Sequence, residues 1–279
     1  MAGTLRTRSA LDALFADNTA GDISAQDLRD LLWSTDLLPQ ITTTSSDASI
    51  SAAAGNHYRV DISGFTQDRA FTLPTCAAGD LPIFVEITTG DDTYDLDITA
   101  DTGVTINWDH ATATSGVITQ MFGAGEYAKF EAVATNTWLV TSSHLENGAA
   151  LIASTTSLSN SAWTNVDLGG TAQWNEFGEG DTTAHTITVR RGGVYTISAE
   201  LTVDSITDGT KLIARITKNG AANMEFARVI TGGTDYSGGS GAGLKVYAKG
   251  DVLRLQGWVG EAGVNAVGGT LNAIFEELA

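Results

Sequence analysis

The spacing of apolar residues changes along the chain and divides the sequence into three parts. Residues 1–40 carry apolar residues at the spacing of an amphipathic helix. Residues 41–143 and 158–279 alternate apolar and polar residues, which is typical of strands with one buried face. Periodicity is weak between these two parts, and we predict a linker at 144–157. The sequence therefore predicts a mainly β protein with a short N-terminal helical segment and two β-domains.

The N-terminal segment has the signals of short helices. Ser24 and Asp27 have the spacing of a capping box, and Pro39 would end the helix that follows. Helices this short are marginally stable alone, so their apolar stripe needs a partner surface. We interpret residues 1–40 as an attachment segment that packs on another chain, with packing on the protein's own β-domain as the alternative. The candidate attachment residues are Leu11, Leu14, Phe15, Ile23, Leu28, Leu31 and Leu32.

The middle part consists of alternating runs separated by short turns. Tyr58, Val60 and Ile62 alternate with polar residues, while the run from Leu81 to Ile87 is apolar on both faces and predicts a buried strand. The pattern indicates about seven or eight strands in roughly a hundred residues, the spacing of a sandwich or barrel. We therefore predict an antiparallel β-sandwich or barrel over residues 41–143.

The third part shows the most regular alternation. Between Tyr195 and Val203 every second residue is apolar and the residues between are polar. The dipeptide Asn219-Gly220 is a strong signal for a two-residue β-hairpin. The glycine-rich run at 231–243 predicts a surface loop. About eight strands in roughly 120 residues fit a jelly roll, which we predict for residues 158–279.

The net charge of the chain limits the classes of partner that it can bind. The sequence has 33 acidic and 15 basic residues, a formal net charge of −18. This excess of acid argues against nucleic acid, whose phosphates need clustered Lys and Arg, and against an anionic membrane surface. No run approaches the roughly 18 apolar residues of a membrane helix, and we recognise no signal peptide. We expect no nucleic-acid partner and no membrane.

Residues that often carry catalysis or bind metals lack the required setting. Cys76, the single cysteine, has no glycine elbow or helix start beside it, and we expect it to be buried. The aspartates at 91–101 lack the spacing of a calcium loop, and we interpret them as a solvated strand face. The histidines have no metal-ligand spacing within the chain, although His144 would be the candidate for an ion site if three copies of the chain shared an axis. We expect no enzyme activity, no metal and no cofactor.

Aromatic residues are the candidates for ligand recognition. Trp174 lies in a polar stretch, Tyr236 lies in the glycine-rich run, and Trp258 lies on the strand face opposite Leu253 and Leu255. Loops at the end of a β-domain often carry recognition, and exposed aromatic rings stack on sugars. Packing within an oligomer is the alternative role for such rings. We predict Trp174, Tyr236 and Trp258 as recognition residues, with a glycan as the ligand.

Three short segments of the third part occur in a recognisable order. They are Gly193–Ala199, Gly250–Leu253 and Thr270–Phe275. Together they resemble strands and a turn of the complement-type globular head, a TNF-like jelly roll. Gly192 stands where that family commonly has proline, and Ile197 where it more often has phenylalanine. The resemblance implies a TNF-like jelly roll that forms a homotrimer, with its closing strand near the threefold axis.

Other segments resemble a second group of proteins. They are Gly21–Asp30, Asp61–Pro74, Ala78–Asp80, Gly125–Phe130 and Asn136–Val140. In this order they resemble modules of tailed-bacteriophage fibre and appendage proteins. The resemblance implies a virion structural protein that is assembled in the host cytoplasm.

The two resemblances together imply a trimeric fibre or spike of the virion. Residues 1–40 would bind other virion proteins of the capsid, neck or tail, and the jelly roll would project outward, with a host-surface glycan as candidate ligand. The alternative is a capsid decoration protein that stabilises the head without binding a receptor. A secreted lectin-like module is a third interpretation, and it would need an export signal that we do not recognise.

Overall fold

The structure is a computed structural model that describes residues 40–145, 148–169, 175, 178–204, 206–207, 209–229 and 237–278. Within these ranges the regular secondary structure is entirely β-strand, arranged in two domains. The predicted helical segment, with its candidate attachment residues, lies outside the described residues.

The middle domain has two sheets around one core. Sheet I has seven strands in the order β1-β3-β5-β10-β11-β7-β8, and sheet II has four in the order β2-β4-β6-β9. The strands are β1 (Gln40–Thr44), β2 (Ile50–Ser51), β3 (Asn56–Asp61), β4 (Arg69–Leu73), β5 (Ile83–Thr89), β6 (Leu96–Ala100), β7 (Thr105–Trp108), β8 (Ala111–Thr114), β9 (Val117–Met121), β10 (Tyr127–Ala134) and β11 (Thr137–His144).

The first six strands alternate between the two sheets. β1, β3 and β5 lie side by side and parallel in sheet I, and β2, β4 and β6 do the same in sheet II. The chain therefore coils around the core. Two parallel neighbours in one sheet need a crossover connection between them, and here a strand of the other sheet forms part of that connection. β7 also pairs in parallel with β11.

The prediction of antiparallel pairing was wrong for this coil. Among the described strands of the middle domain, antiparallel pairing is confined to β5–β10, β10–β11, β7–β8 and β6–β9. Alternation of apolar residues reports which face of a strand is buried, and it is the same beside a parallel or an antiparallel neighbour. The pattern therefore indicated the two sheets but not the direction of their strands.

Side chains from both sheets fill the middle core. Val60 and Val85 of sheet I and Phe71 and Ile98 of sheet II are buried in one cluster. Cys76 is buried beside them, as predicted, and burial raises the pKa of its thiol.

The C-terminal domain has two further sheets. Sheet III has the order β12-β22-β17-β20, with β13 also on β22, and sheet IV has the order β15-β16-β21-β18-β19, with β14 also on β21. The strands are β12 (Gly148–Ile152), β13 (Thr156–Ser157), β14 (Thr164–Asn165), β15 (Gly180–Asp181), β16 (Thr186–Thr188), β17 (Gly193–Val203), β18 (Lys211–Lys218), β19 (Ala221–Val229), β20 (Ser237–Tyr247), β21 (Val252–Val259) and β22 (Asn265–Glu277).

The strand order of sheets III and IV is that of a jelly roll. Every pairing between these strands is antiparallel. Neighbours in sequence, such as β16 and β17 or β20 and β21, lie in opposite sheets, so the chain crosses repeatedly over one core. The predicted C-terminal fold is therefore confirmed.

Residues 144–157, predicted as a linker, contribute two strands to this domain. β12 and β13 pair with β22, and Ala149, Leu151 and Ala153 are buried in the core of the jelly roll. The apolar periodicity is weak here because two of these three buried positions carry alanine.

Strand β17 follows the predicted alternation. The apolar residues from Tyr195 to Val203 are buried against sheet IV, and the polar residues between them lie on the outer face of sheet III. A slip of one residue would turn the apolar set outward, so the register is strongly specified. The predicted hairpin is also present, since Asn219 and Gly220 have the positive φ angles, 52° and 81°, of a type I′ turn.

Within the glycine-rich run predicted as a loop, the described residues 237–243 are strand. Residues 237–247 form β20, which pairs with β17 along its whole length. Gly239, Gly241 and Gly243 lie under side chains of β19, and a Cβ at Gly241 would lie 2.7 Å from the ring of Phe226. The glycines thus make room for Phe226 and Met224, which pack against the core.

We expect Gly241→Ala to destabilise the protein by about 1–3 kcal/mol, because the added methyl group overlaps the Phe226 ring. Gly243→Ala is the matched control, since its Cβ would lie 3.6 Å from the sulfur of Met224, an ordinary contact. Chemical denaturation of the full chain measures both. Equal stability of the two variants would contradict the packing described for β20.

Candidate association surface and interdomain junction

The outer face of sheet III carries exposed apolar side chains. Leu244, Val246 and Ile274 are 66%, 63% and 45% exposed. In the register of the sheet, Thr196 lies opposite both Leu244 and Ile274, and Val194 lies opposite Val246. Val194, Leu244, Val246 and Ile274 therefore lie around Thr196 on one face of β20, β17 and β22, and we name these four residues the apolar strip.

The rest of this face is flat and polar. Asn272 donates a hydrogen bond to Ser198 Oγ at 3.0 Å, and Thr196 Oγ1 donates one to a carboxylate oxygen of Glu276 at 2.5 Å. Small side chains on a flat sheet allow another surface to approach closely. An apolar patch rimmed by polar residues is typical of an interaction site.

The end of the jelly roll that carries the apolar strip also contacts the middle domain. Arg190 and Arg191 immediately precede β17 and reach into that domain. Their guanidinium carbons lie 4.2 Å and 4.7 Å from the centroid of the Phe122 ring, within the range of cation–π contact. The two arginines therefore anchor the long strand β17 to the middle domain.

Arg191 forms a buried ion pair across the junction. Its Nη2 donates to Glu126 Oε1 at 2.5 Å, and the two side chains are 0% and 1% exposed. Its Nε donates to the Gln120 carbonyl oxygen at 2.8 Å, and the backbone N–H groups of Phe122 and Gly123 donate to the other carboxylate oxygen of Glu126. Several hydrogen bonds thus offset the cost of burying both charges.

Arg190 and Lys249 hold a second carboxylate of the middle domain. Arg190 Nη2 and Lys249 Nζ lie 2.5 Å and 2.6 Å from the two oxygens of Asp95, and Lys249 also lies 3.2 Å from Asp68. Arg190 donates further hydrogen bonds to the carbonyl oxygens of Asp91 and Tyr94. The interpretation of the 91–101 aspartates as a solvated face was therefore wrong for Asp95, which is buried beneath the jelly roll.

The charges at the junction affect neighbouring pKa values. Burial alone would lower the pKa of Lys249, but the carboxylates of Asp95 and Asp68 outweigh burial and raise it. Burial raises the pKa of the Asp97 carboxyl, although Lys249 opposes this. Burial also raises the pKa of Tyr195, whose hydroxyl donates to the Arg191 carbonyl oxygen at 2.8 Å.

Apolar residues of β22 and the residue after it complete the junction. Phe275 packs against the cores of both domains, and Leu278 is buried in the middle core. Gly193 allows this close approach, because a Cβ there would lie 2.4 Å from the Glu277 carbonyl oxygen and 2.6 Å from the Phe275 ring.

Of the predicted recognition residues, the structure describes Trp258. It lies on the outer face of sheet IV opposite Ile213, while Leu253 and Leu255 face the core, as predicted. Trp174 and Tyr236 lie outside the described residues, as do the seven attachment residues. The His144 ring lies against Tyr127, and no group of three or more His, Cys, Asp or Glu side chains among the described residues is arranged to hold a metal ion.

The sequence did not reveal the junction residues. Arg190 pairs with Asp95 and Arg191 with Glu126, partners 95 and 65 residues away in sequence. Two adjacent arginines before a strand are usually solvent-exposed. One sequence feature does point to these residues: basic residues are few in this acidic chain, so two adjacent arginines stand out. That feature does not identify the carboxylates with which they pair.

We expect Arg191→Met to destabilise the protein by about 3–5 kcal/mol, because Glu126 would remain buried without its counter-charge. The double variant R191M/E126Q should recover part of this loss, because it removes the unpaired charge as well. Chemical denaturation of the full chain measures both effects.

The control for this variant is Arg59→Met, which removes an exposed arginine beside Glu86 and should change stability by less than about 1 kcal/mol. If R191M were no more destabilising than R59M, the junction would not depend on the buried pair.

Comparisons with known proteins bear on the fold alone. No family model and no curated protein matches the chain. Among solved structures it is similar to the globular domain of zebrafish complement 1qA protein, with 12% identity, a TM-score of 0.38 and coverage of 48% of this chain and 99% of that one. It is also similar to murine APRIL at pH 8.0 (16% identity, TM-score 0.33, 47% and 100% covered) and to Eiger TNF from S. frugiperda (12%, 0.34, 48% and 94%). The jelly-roll assignment rests on the strand order of sheets III and IV.

None of the described residues forms a helix that could span a membrane.

Proposed function

We propose that this chain is a virion structural protein of a tailed bacteriophage, a homotrimeric fibre or spike. Residues 1–40 bind other virion proteins of the capsid, neck or tail, and the jelly roll faces outward, where it binds a host-surface glycan. The protein acts through shape and affinity, without catalysis or a cofactor. The resemblance of the first two parts of the sequence to phage appendage modules supports the location in the virion.

The apolar strip is the observation that supports a trimer. Leu244, Val246 and Ile274 are exposed in one chain, and three copies around an axis would bury them against one another. β22, which carries Ile274, is the closing strand that the resemblance places near the threefold axis. The strip itself is apolar, and two carboxylates lie at its edge, where Glu276 accepts a hydrogen bond from Thr196 and Glu277 lies opposite Val194.

The interdomain junction would make such a trimer rigid, as an appendage requires. The strip lies at the junction end of β17, and Arg190 and Arg191 tie that end to the middle domain. Contact between three strips therefore also fixes the three middle domains relative to one another. Three copies of one weak glycan contact on such a particle would bind far more tightly than one copy.

The full chain should have about three times the 29.1 kDa mass of one chain in light scattering. Ile274→Glu should shift it to a monomer, because three carboxylates would meet at the contact. Val133→Glu is the matched control, since Val133 is similarly exposed but lies on the middle domain, and it should stay trimeric. A wild-type monomer at all concentrations would overturn the proposed trimer.

Antibodies against the jelly roll should label intact virions of the phage that encodes this chain, and deletion of residues 1–40 should remove the label because that segment attaches the protein. Virions without label would contradict the proposed location. Phage that lack the protein should adsorb poorly to the host and keep their head stability. Normal adsorption with a heat-sensitive head would instead favour the capsid decoration protein.

A further inference from the structure

A hollow of about 350 Å³ lies on the outer face of sheet IV, across the core of the jelly roll from the apolar strip on sheet III. Ligand pockets range from about 300 to 1,000 Å³, so its size suits a small ligand. Its lining includes Asn165, Thr217, Asn219, Gly220, Arg254 and Gln256.

The strand register of sheet IV builds this hollow. Leu253 and Leu255 face the core, so Arg254 and Gln256 of β21 point outward. Thr217 lies directly opposite Arg254 on the neighbouring strand β18. The type I′ turn at Asn219 closes one end of the hollow, and the end of β14 at Asn165 forms another wall.

The amide groups of the walls are held in place by hydrogen bonds. Gln256 Nε2 donates to Asn165 Oδ1 at 2.7 Å, and Gln256 Oε1 accepts from Arg215 Nε at 2.7 Å. Asn219 Nδ2 donates to Asp251 Oδ1, and Asn219 Oδ1 accepts from the Val252 N–H. These walls are therefore arranged before any ligand arrives, which lowers the cost of binding.

Two polar groups of the lining have no partner among the described residues. Thr217 is 1% exposed, and its hydroxyl has no hydrogen-bond partner there. The guanidinium of Arg254, whose backbone belongs to the β21 ladder, has neither a hydrogen bond nor a carboxylate within 4.0 Å in the described part of the chain. A buried hydroxyl without a partner carries a cost that a ligand would remove.

The positive charge in the lining of the hollow favours a negatively charged ligand. Arg254 is its charged member, and the carboxylate of nearby Asp251 is already bound by Lys218 at 2.6 Å. A guanidinium binds a carboxylate through two parallel hydrogen bonds. One guanidinium matches the single negative charge of a carboxylate better than a phosphate group, which carries about −1.5 to −2 at pH 7. The hydroxyl and the amides around it are suited to the hydroxyl groups of a sugar.

We propose that this hollow binds an acidic saccharide, with the guanidinium of Arg254 on its carboxylate and the Thr217 hydroxyl on an adjacent polar group of the ring. The inference deepens the glycan recognition proposed above and names its ligand class. It places recognition on sheet IV, on the same outward face of β21 as Trp258.

Saturation-transfer NMR with the purified full chain tests this site, with glucuronate and glucose as the observed ligands and inorganic phosphate as a competitor. Glucuronate should bind and glucose should not. Arg254→Gln should weaken glucuronate binding at least about tenfold, because it removes the charge-assisted pair. Thr217→Val, which keeps the shape of the side chain, should weaken it by a smaller factor. Arg59→Gln, an exposed arginine of the middle domain, is the control and should bind as the wild type does.

Unchanged glucuronate binding in R254Q, or equal binding of glucose, would overturn the proposal. Displacement of glucuronate by lower concentrations of phosphate would also overturn it, in favour of a simple anion site. The melting temperature of each variant shows that it is folded. Because this assay needs no virion, loss of the site leaves the virion role standing, and absence of the chain from virions leaves the site standing.

Discussion

The two domains depend on the buried contacts of Arg190 and Arg191 with the middle domain. Each guanidinium pairs with a carboxylate of the middle domain, and both lie near the ring of Phe122. Removal of one partner would leave a buried charge without compensation, which costs more than any surface ion pair contributes. Because β17 begins next to these residues and lies in the middle of sheet III, the same contacts position the apolar strip relative to the coil.

Much of the fold could be predicted from the sequence, because burial in β proteins follows local alternation. The buried face of β17, the hairpin at Asn219 and the jelly-roll class followed from patterns within short windows. The parallel coil of the middle domain did not, because strand direction depends on which strands become neighbours. The β20 strand was also missed, since its glycines are explained by Phe226, a residue of another strand.

The candidate sites were less predictable, because each depends on residues far apart in sequence. The apolar strip combines Val194, Leu244 and Ile274 from three strands, and the alternation within any one of them does not show that its outer residues meet. The hollow on sheet IV depends on Thr217 lying opposite Arg254. The sequence identified the face of Trp258 correctly, but a local pattern cannot show which polar groups lack a partner.

The burial of Leu278 in the middle core has a consequence for synthesis of the chain. The coil emerges from the ribosome first, yet a side chain that fills its core is translated only after the whole jelly roll. The core of the middle domain therefore lacks one of its side chains until residue 278 has been translated. Contacts between residues so far apart in sequence form slowly. A chain that stops before residue 278 would lack this side chain, so packing of the middle core depends on a residue that is translated after the jelly roll.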